Sequence, residues 1–215
     1  QKPKISEIIV VDDLSEDHTK DVVDSFEKEA KSKDVRLVYL KTSKRSGWPV
    51  ARNLGALNSK RKYLFFVDDD SVMAPYSSFG AIFTYEWLKK KGVNIGLLNL
   101  APYSRSSVPN KIVPKTKIGN IDFSKGEYTS NKDAFPEEYV DNPDKFIHQE
   151  FHILEPISIK NNGGYVLCEK DVFMKVGGFP ESILRRFVDR EFGCQMMENA
   201  YSIYLQSDPK FQCVH

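Results

Sequence analysis

The chain has 215 residues, of which 40% are hydrophobic and 12% aromatic, enough for one sizeable core at the length of a single domain. Lysine plus arginine (31) balance aspartate plus glutamate (30), so no overall field draws the chain to nucleic acid or an anionic membrane. No apolar run reaches the roughly 18–20 residues of a membrane span, and the widely spaced Cys168, Cys194 and Cys213 form neither a disulfide framework nor a CxxC zinc site.

These features predict a reducing, cytoplasmic setting. The start at Gln1 has no signal-like apolar stretch and no initiator methionine, which predicts a piece of a longer protein.

In chain order, Ile5 to Val11 is β-branched and almost continuously apolar, the pattern of a strand buried on both faces of a parallel sheet, and it ends in Asp12 and Asp13. Thr19 to Lys33 reads as one amphipathic helix with Val22, Val23, Phe26 and Ala30 on its apolar face. Val35 to Leu40 follows as a strand. Pro49 suits the first turn of a second helix striped by Val50, Leu54 and Leu57, and Tyr63 to Val67 supplies a third strand. Strands alternating with helices predict βαβ connections and a mostly parallel sheet flanked by helices.

Phe79 to Lys90 reads as a helix and Asn94 to Leu100 as a strand. From Ala101 to about Glu150 the composition turns to serine, lysine, asparagine and proline, too long for an ordinary connection and expected to run over the surface. Glu169 to Val176 and Val188 to Asn199 are the late helices, separated by Gly177-Gly178, and Ser202 to Leu205 and Phe211 to Val214 are short late strands.

Two acidic clusters close predicted strands: Asp12-Asp13 and Asp68-Asp69-Asp70. In an open parallel sheet ligands gather at the carboxyl ends of the strands. Adjacent carboxylates repel, so a half-buried cluster needs a cation or hydrogen-bond donors, and an all-oxygen set favours magnesium, manganese or calcium over zinc. The plain alternative is that single aspartates cap the turns that follow, which suits Asp69. His148 and His152 have a zinc-like spacing, but HQEFH is not HExxH and no third ligand is evident.

Several segments resemble the family 2 glycosyltransferases. Glu7-Ile8-Ile9-Val10-Val11-Asp12-Asp13-Leu14-Ser15, with Asp17 and Thr19, is similar to EIIVVDDGSxDxT, Leu14 standing where the motif has glycine. Gly47 with Ala51-Arg52-Asn53-Leu54-Gly55 resembles NxGxxxARNxG, and Phe66-Val67-Asp68-Asp69-Asp70 with Pro75 resembles FLDxDxxxxP. Gly177-Gly178-Phe179-Pro180-Glu181 resembles GGFDE, Val188-Asp189-Arg190-Glu191-Phe192 resembles EDxDL, and Val214-His215 the closing VxH. These matches run in family order from Ile5 to the C-terminus. The family's opening strand with its P-x-Y-N segment is absent, Val188 replaces a glutamate, and Gln195 stands where a basic residue is frequent.

The resemblance implies one GT-A domain over residues 1–215. Its nucleotide-sugar half would be about 1–100 and its acceptor half about 101–215, the latter including the long 101–150 region. It implies a metal-dependent transfer of a sugar from a nucleoside-diphosphate sugar, UDP-sugars favoured, to an acceptor hydroxyl with inversion. Asp13 would bind the donor's base, Arg52, Asp68 and Asp69 would lie on the donor, and Asp70 and His215 would hold Mn2+ or Mg2+. Asp189 would be the general base, with Glu191 and Gly178 on the acceptor side. The acceptor would be a carbohydrate, a lipid-linked group or a protein, with no nucleic acid partner. Flanking regions would carry any membrane association, at the cytoplasmic face.

Two other classes fit parts of the sequence. Asp68-Asp69-Asp70-Ser71-Val72 fits the nucleophile motif of haloacid-dehalogenase-type phosphohydrolases, although no second acidic pair follows. A catalytically silent nucleotide-sugar-binding module would keep Asp13 and Asp70 without depending on Asp189.

Overall fold

The structure, a computed structural model, describes residues 5–69, 72–73, 77–100, 102–103, 151–153, 165–182, 187–206 and 213–214. Most of the 101–150 region lies outside the described residues, as do Asp70, His148 and His215.

Strand β1 (Glu7–Asp12) pairs in parallel with β2 (Arg36–Lys41), Glu7 opposite Arg36 and Asp12 opposite Lys41. Parallel neighbours need a crossover. Here it is α1 (Thr19–Ser25) and α2 (Glu27–Ser32), where a single helix was expected. Phe26 separates them, its N–H donating to Val23 O at 3.0 Å, three residues back. Only part of the predicted apolar face is covered, since Val22 and Phe26 are exposed. Ile8 is also 44% exposed, so β1 is not buried on both faces as its apolar run suggested.

Helix α3 (Trp48–Asn58) covers the other face of β1. A Cβ placed on Gly55 would stand 3.3 Å from Val11 Cγ2, so glycine lets helix and strand approach closely. The buried residues of α3 are Pro49 and Ala56, whereas Leu57 of the predicted stripe is exposed. The Glu7 carboxylate, itself nearly buried, pairs with Arg36 and accepts from Ser59 Oγ at 2.8 Å and Lys60 N–H at 3.0 Å, which ties the β1–β2 register to the end of α3.

The larger sheet has the order β3 (Tyr63–Phe66), β8 (Val166–Glu169), β5 (Ile95–Leu100), β9 (Ser202–Gln206), β7 (Phe151–Ile153). It is mixed, a correction to the mostly parallel sheet expected from the sequence. β5 and β9 are parallel, but β8 runs antiparallel to both β3 and β5, and β7 antiparallel to β9. The physical reason is β8 itself. It is a four-residue strand that the sequence reading passed over, and it pairs antiparallel with both neighbours between β3 and β5.

Every residue of β5 is buried, because both faces of this sheet are covered. On one face Leu64, Phe66, Leu97, Val166 and Cys168 meet α5 (Lys170–Lys175) and α6 (Val188–Glu198) through Phe173, Val188, Phe192 and Met196. On the other, Ile95, Leu98, Leu100 and Leu167 meet α4 (Ser77–Lys90) through Ala81, Tyr85 and Leu88. A small third sheet sets β10 (Cys213–Val214) between β4 (Val72–Met73) and β6 (Pro102–Tyr103), with Val214 opposite Val72.

Leu14, in the turn after β1, has φ 62°. That left-handed conformation suits glycine and strains a leucine. We expect Leu14→Gly to stabilise the protein by about 0.5–1 kcal/mol, the relieved strain exceeding the added chain entropy; an unchanged or lower thermal midpoint would count against strain at this turn.

Candidate active site at the strand ends

The two aspartates that close β1 have different surroundings. Asp12 is buried; its Oδ1 accepts from Ser15 N–H at 2.6 Å, its Oδ2 accepts from the Tyr39 hydroxyl, and Lys41 Nζ lies 3.5 Å away. Burial pushes its carboxyl up, but these donors outweigh burial and hold it down at about 2, while Asp12 pushes the Tyr39 phenol up to about 12. Asp12 is therefore a structural anion of the turn.

Asp13 organises the entry to α3. Its Oδ1 accepts from Thr42 Oγ1 at 2.9 Å and Ser46 N–H at 2.8 Å, and its Oδ2 accepts from Gly47 N–H at 2.7 Å. Burial raises this carboxyl, and the Ser46 and Gly47 amides, Thr42 and Arg45 together bring it below the ordinary range. Gly47 is the N-cap of α3 at φ 86°. A carboxylate offers about four acceptor positions, so with three donors placed Asp13 retains room for one more.

One turn along α3, Arg52 pairs with Asp68, just beyond β3, and its guanidinium carbon lies 4.6 Å from the Trp48 ring centre and 5.5 Å from that of Phe179. The planar guanidinium suits simultaneous stacking and pairing. Asp189, in the first turn of α6, lies within the field of both groups. Burial raises its carboxyl, Arg52 lowers it and Asp68 raises it again, and the net shift is upward. Asp189 does not cap its helix, because the N-cap is Phe187, held at φ 86° with no side-chain cap hydrogen bond. Strain of that kind in a bulky residue marks a position fixed by its surroundings.

Asn53, next to Arg52, locks α3 to the glycine segment. Its Nδ2 donates to Phe179 O and to Glu181 Oε1, each at 2.8 Å, and its Oδ1 accepts from Phe179 N–H at 2.9 Å. Gly178 is buried beside it at φ 71°, and Phe179 continues into α6 with its ring 4.4 Å from that of Phe192. The Asn53 lock was overlooked in the sequence, although the Ala51-Arg52-Asn53-Leu54-Gly55 run contained it.

Thus Arg52, Asp68 and Asp189, from three separate elements, converge, and Asp13 stands at the N-terminus of the helix that carries Arg52. Asp69 and Glu191 are exposed. Asp70 and His215 lie outside the described residues, but their chain neighbours meet: Val214, just before His215, pairs with Val72, two residues after Asp70. Among the described residues no group of three or more metal-ligating side chains is assembled.

One family model matches part of the chain. Residues 1–92 match Glycosyl transferase family 2. That segment is similar to the family, and it holds Asp13, Arg52 and Asp68. The solved structures it resembles include the mannosyltransferase PcManGT from Pyrobaculum calidifontis, in complex with GDP-Man and Mn2+ (TM-score 0.61, 17% identity, 97% of this chain and 47% of that one). TarS from S. aureus, solved as residues 1–349 with UDP, has a TM-score of 0.57 and 16% identity, covering 97% of this chain and 50% of that one. GalNAc-T7 with UDP, GalNAc and Mn2+ has a TM-score of 0.61 and 14% identity, covering 98% and 37%. These likenesses establish the GT-A fold, and the chain spans half or less of the length of the structures it resembles. No curated protein matches it.

Proposed function

We propose that this chain is the catalytic core of a metal-dependent family 2 glycosyltransferase that moves a sugar from a nucleoside-diphosphate sugar to an acceptor hydroxyl, with inversion. The observation that carries the reading is the convergence of Arg52, Asp68 and the half-buried Asp189 at one edge of the sheet, the first two within the segment that matches the family.

The remaining acceptor position of Asp13 suits an imide N–H of a uracil base. Arg52 offers a cation beside the donor's diphosphate and holds Asp68 in place. Asp189 takes the proton of the acceptor hydroxyl as that oxygen bonds to the anomeric carbon and the nucleoside diphosphate leaves from the opposite face. Glu191 and Gly178 belong to the acceptor side, and Asp69 to the donor side.

Asp68, Asp70 and His215 would hold Mn2+ or Mg2+. Asp68 fits the hard-oxygen chemistry of these ions, and the pairing of Val214 with Val72 supports bringing the other two together. When bound, the ion supplies electrostatic stabilisation of the departing diphosphate. Neighbours that hold UDP or GDP-Man with Mn2+ support the donor class. A carbohydrate, lipid-linked or protein acceptor and a cytoplasmic location, including the cytoplasmic face of a membrane, complete the reading. Among the described residues no helix is long and apolar enough to cross a membrane.

The test is donor binding and slow donor hydrolysis with Mn2+ and a panel of UDP-sugars and GDP-mannose. Asp70→Ala should weaken metal-dependent donor binding by more than about tenfold. Equal binding with and without Mn2+, or release of phosphate from simple monoesters with no nucleotide-sugar binding, would reject the assignment.

A further inference from the structure

Among the described residues, the buried side-chain atoms left without a hydrogen-bond partner are Nδ2 and Oδ1 of Asn99, Oδ1 of Asp189 and Oε1 of Gln195. Asn99 is the extreme case, fully buried with both ends of its amide unpaired. Buried amides are almost always satisfied, so a wholly unpaired one calls for a reason in function or in bound water.

Its place in the sheet supplies the reason. Asn99 lies opposite Val166 of β8 and Leu205 of β9, and Val166 lies opposite Phe66, so Asn99 is level with the end of β3 just before Asp68. Leu97, two residues earlier, packs in the cluster that contains Val188, Phe192 and Met196 of α6, and residues two apart on a strand share a face. Asn99 therefore points to the α6 side.

Helix α6 leads into β9, which is parallel to β5, so α6 runs antiparallel to β5. Its C-terminal part is anchored over the start of β5, where a Cβ on Gly96 would meet Met196 Sδ at 2.9 Å. From Met196 the helix returns about 10 Å to Asp189, and from Gly96 the strand advances about 10 Å to Asn99. The two advances match. The unpaired amide and the unpaired carboxylate oxygen lie at the same level of the helix–sheet interface, while Gln195 belongs to its other end.

We propose that Asn99 is a positioning residue for Asp189: its Nδ2–H donates to a buried water that donates in turn to Asp189 Oδ1, leaving the other carboxylate oxygen for the acceptor. Such a water has the two polar partners it needs. This role rests on Asp189 being the base of the transfer reaction.

The test compares wild type, Asn99→Leu and Asn99→Ser in Mn2+ with whichever of the panel's UDP-sugars or GDP-mannose the wild type hydrolyses. Asn99→Leu keeps the volume and removes the amide, so a purely structural Asn99 would leave the rate unchanged and the thermal midpoint the same or higher. The expected result is a kcat lowered by roughly 10- to 100-fold, the scale of a misplaced catalytic group, with donor KM within about twofold. Asn99→Ser, which keeps a donor, should recover part of that loss. If Asn99→Leu does not fold, Asn99→Ala takes its place.

Wild-type turnover by Asn99→Leu, an equal loss in Asn99→Ser, or a parallel rise in donor KM overturns the role of Asn99 alone. Absence of donor turnover in the wild type overturns the glycosyltransferase reading, and this role with it.

Discussion

Asp189→Asn should bind donor as the wild type does and transfer sugar about 10²- to 10⁴-fold more slowly, the usual contribution of a positioned general base. The substitution is nearly isosteric, and the hydrogen bonds of Asp13 and the Arg52–Asp68 pair described above do not involve Asp189 Oδ1. Losing a half-buried carboxylate beside Asp68 should leave the thermal midpoint unchanged or higher. The reaction also acquires a predictable acid limb. Burial raises the Asp189 carboxyl above its ordinary value, and the base works only when deprotonated, so the rate should fall at a pH above the usual aspartate range. Arg52 opposes that rise, and Arg52→Ala should therefore move the limb to higher pH. Rate–pH profiles with a saturating nucleotide sugar check both statements. Undiminished transfer by Asp189→Asn would remove the base assignment and favour a binding module.

Gly178→Ala is expected to be the most destabilising small substitution near the site, at about 2–4 kcal/mol from steric overlap and left-handed strain together. A Cβ there would stand 2.8 Å from Asn53 Oδ1 and 3.2 Å from Phe173 Cε1, at a φ of 71°. Asn53 cannot give way without losing its bonds to Phe179 and Glu181, and Phe173 is buried among Phe66, Phe179 and Phe192. The damage should reach function, because Phe179 also flanks Arg52. A urea unfolding curve measures the stability. Gly177→Ala is the control, since it shares a positive φ but its Cβ would meet nothing within 4 Å. Equal losses in the two variants would show that backbone strain, not the contact with Asn53 and Phe173, sets the cost.

Much of the first hundred residues was legible because their signals are local. The β-branched run before Asp12, Pro49 in the first turn of α3 and the apolar strand before Asp68 each carry their own reason for forming. Gly178 could be placed in a motif, but its packing on Asn53 could not, since Asn53 and Phe179, the residue after Gly178, lie 126 positions apart in the chain and meet only in the fold. The break at Phe26, the exposure of Leu57 and the antiparallel entry of β8 were missed for a related reason. Periodicity names the apolar side of an element, while what covers that side is decided by elements far away in sequence.

By itself the sequence determined which carboxylates end strands, which helices carry Arg52 and Asp189, and which family the motifs resemble, because spacing and residue type act within a few positions. Only the tertiary structure decided that Asp12 is buried while Asp13 grips the start of α3, that Arg52 and Asp68 share the field of Asp189, and that the sheet is mixed. Charge, burial and strand direction depend on neighbours brought in from distant parts of the chain, and those neighbours exist only once it has folded.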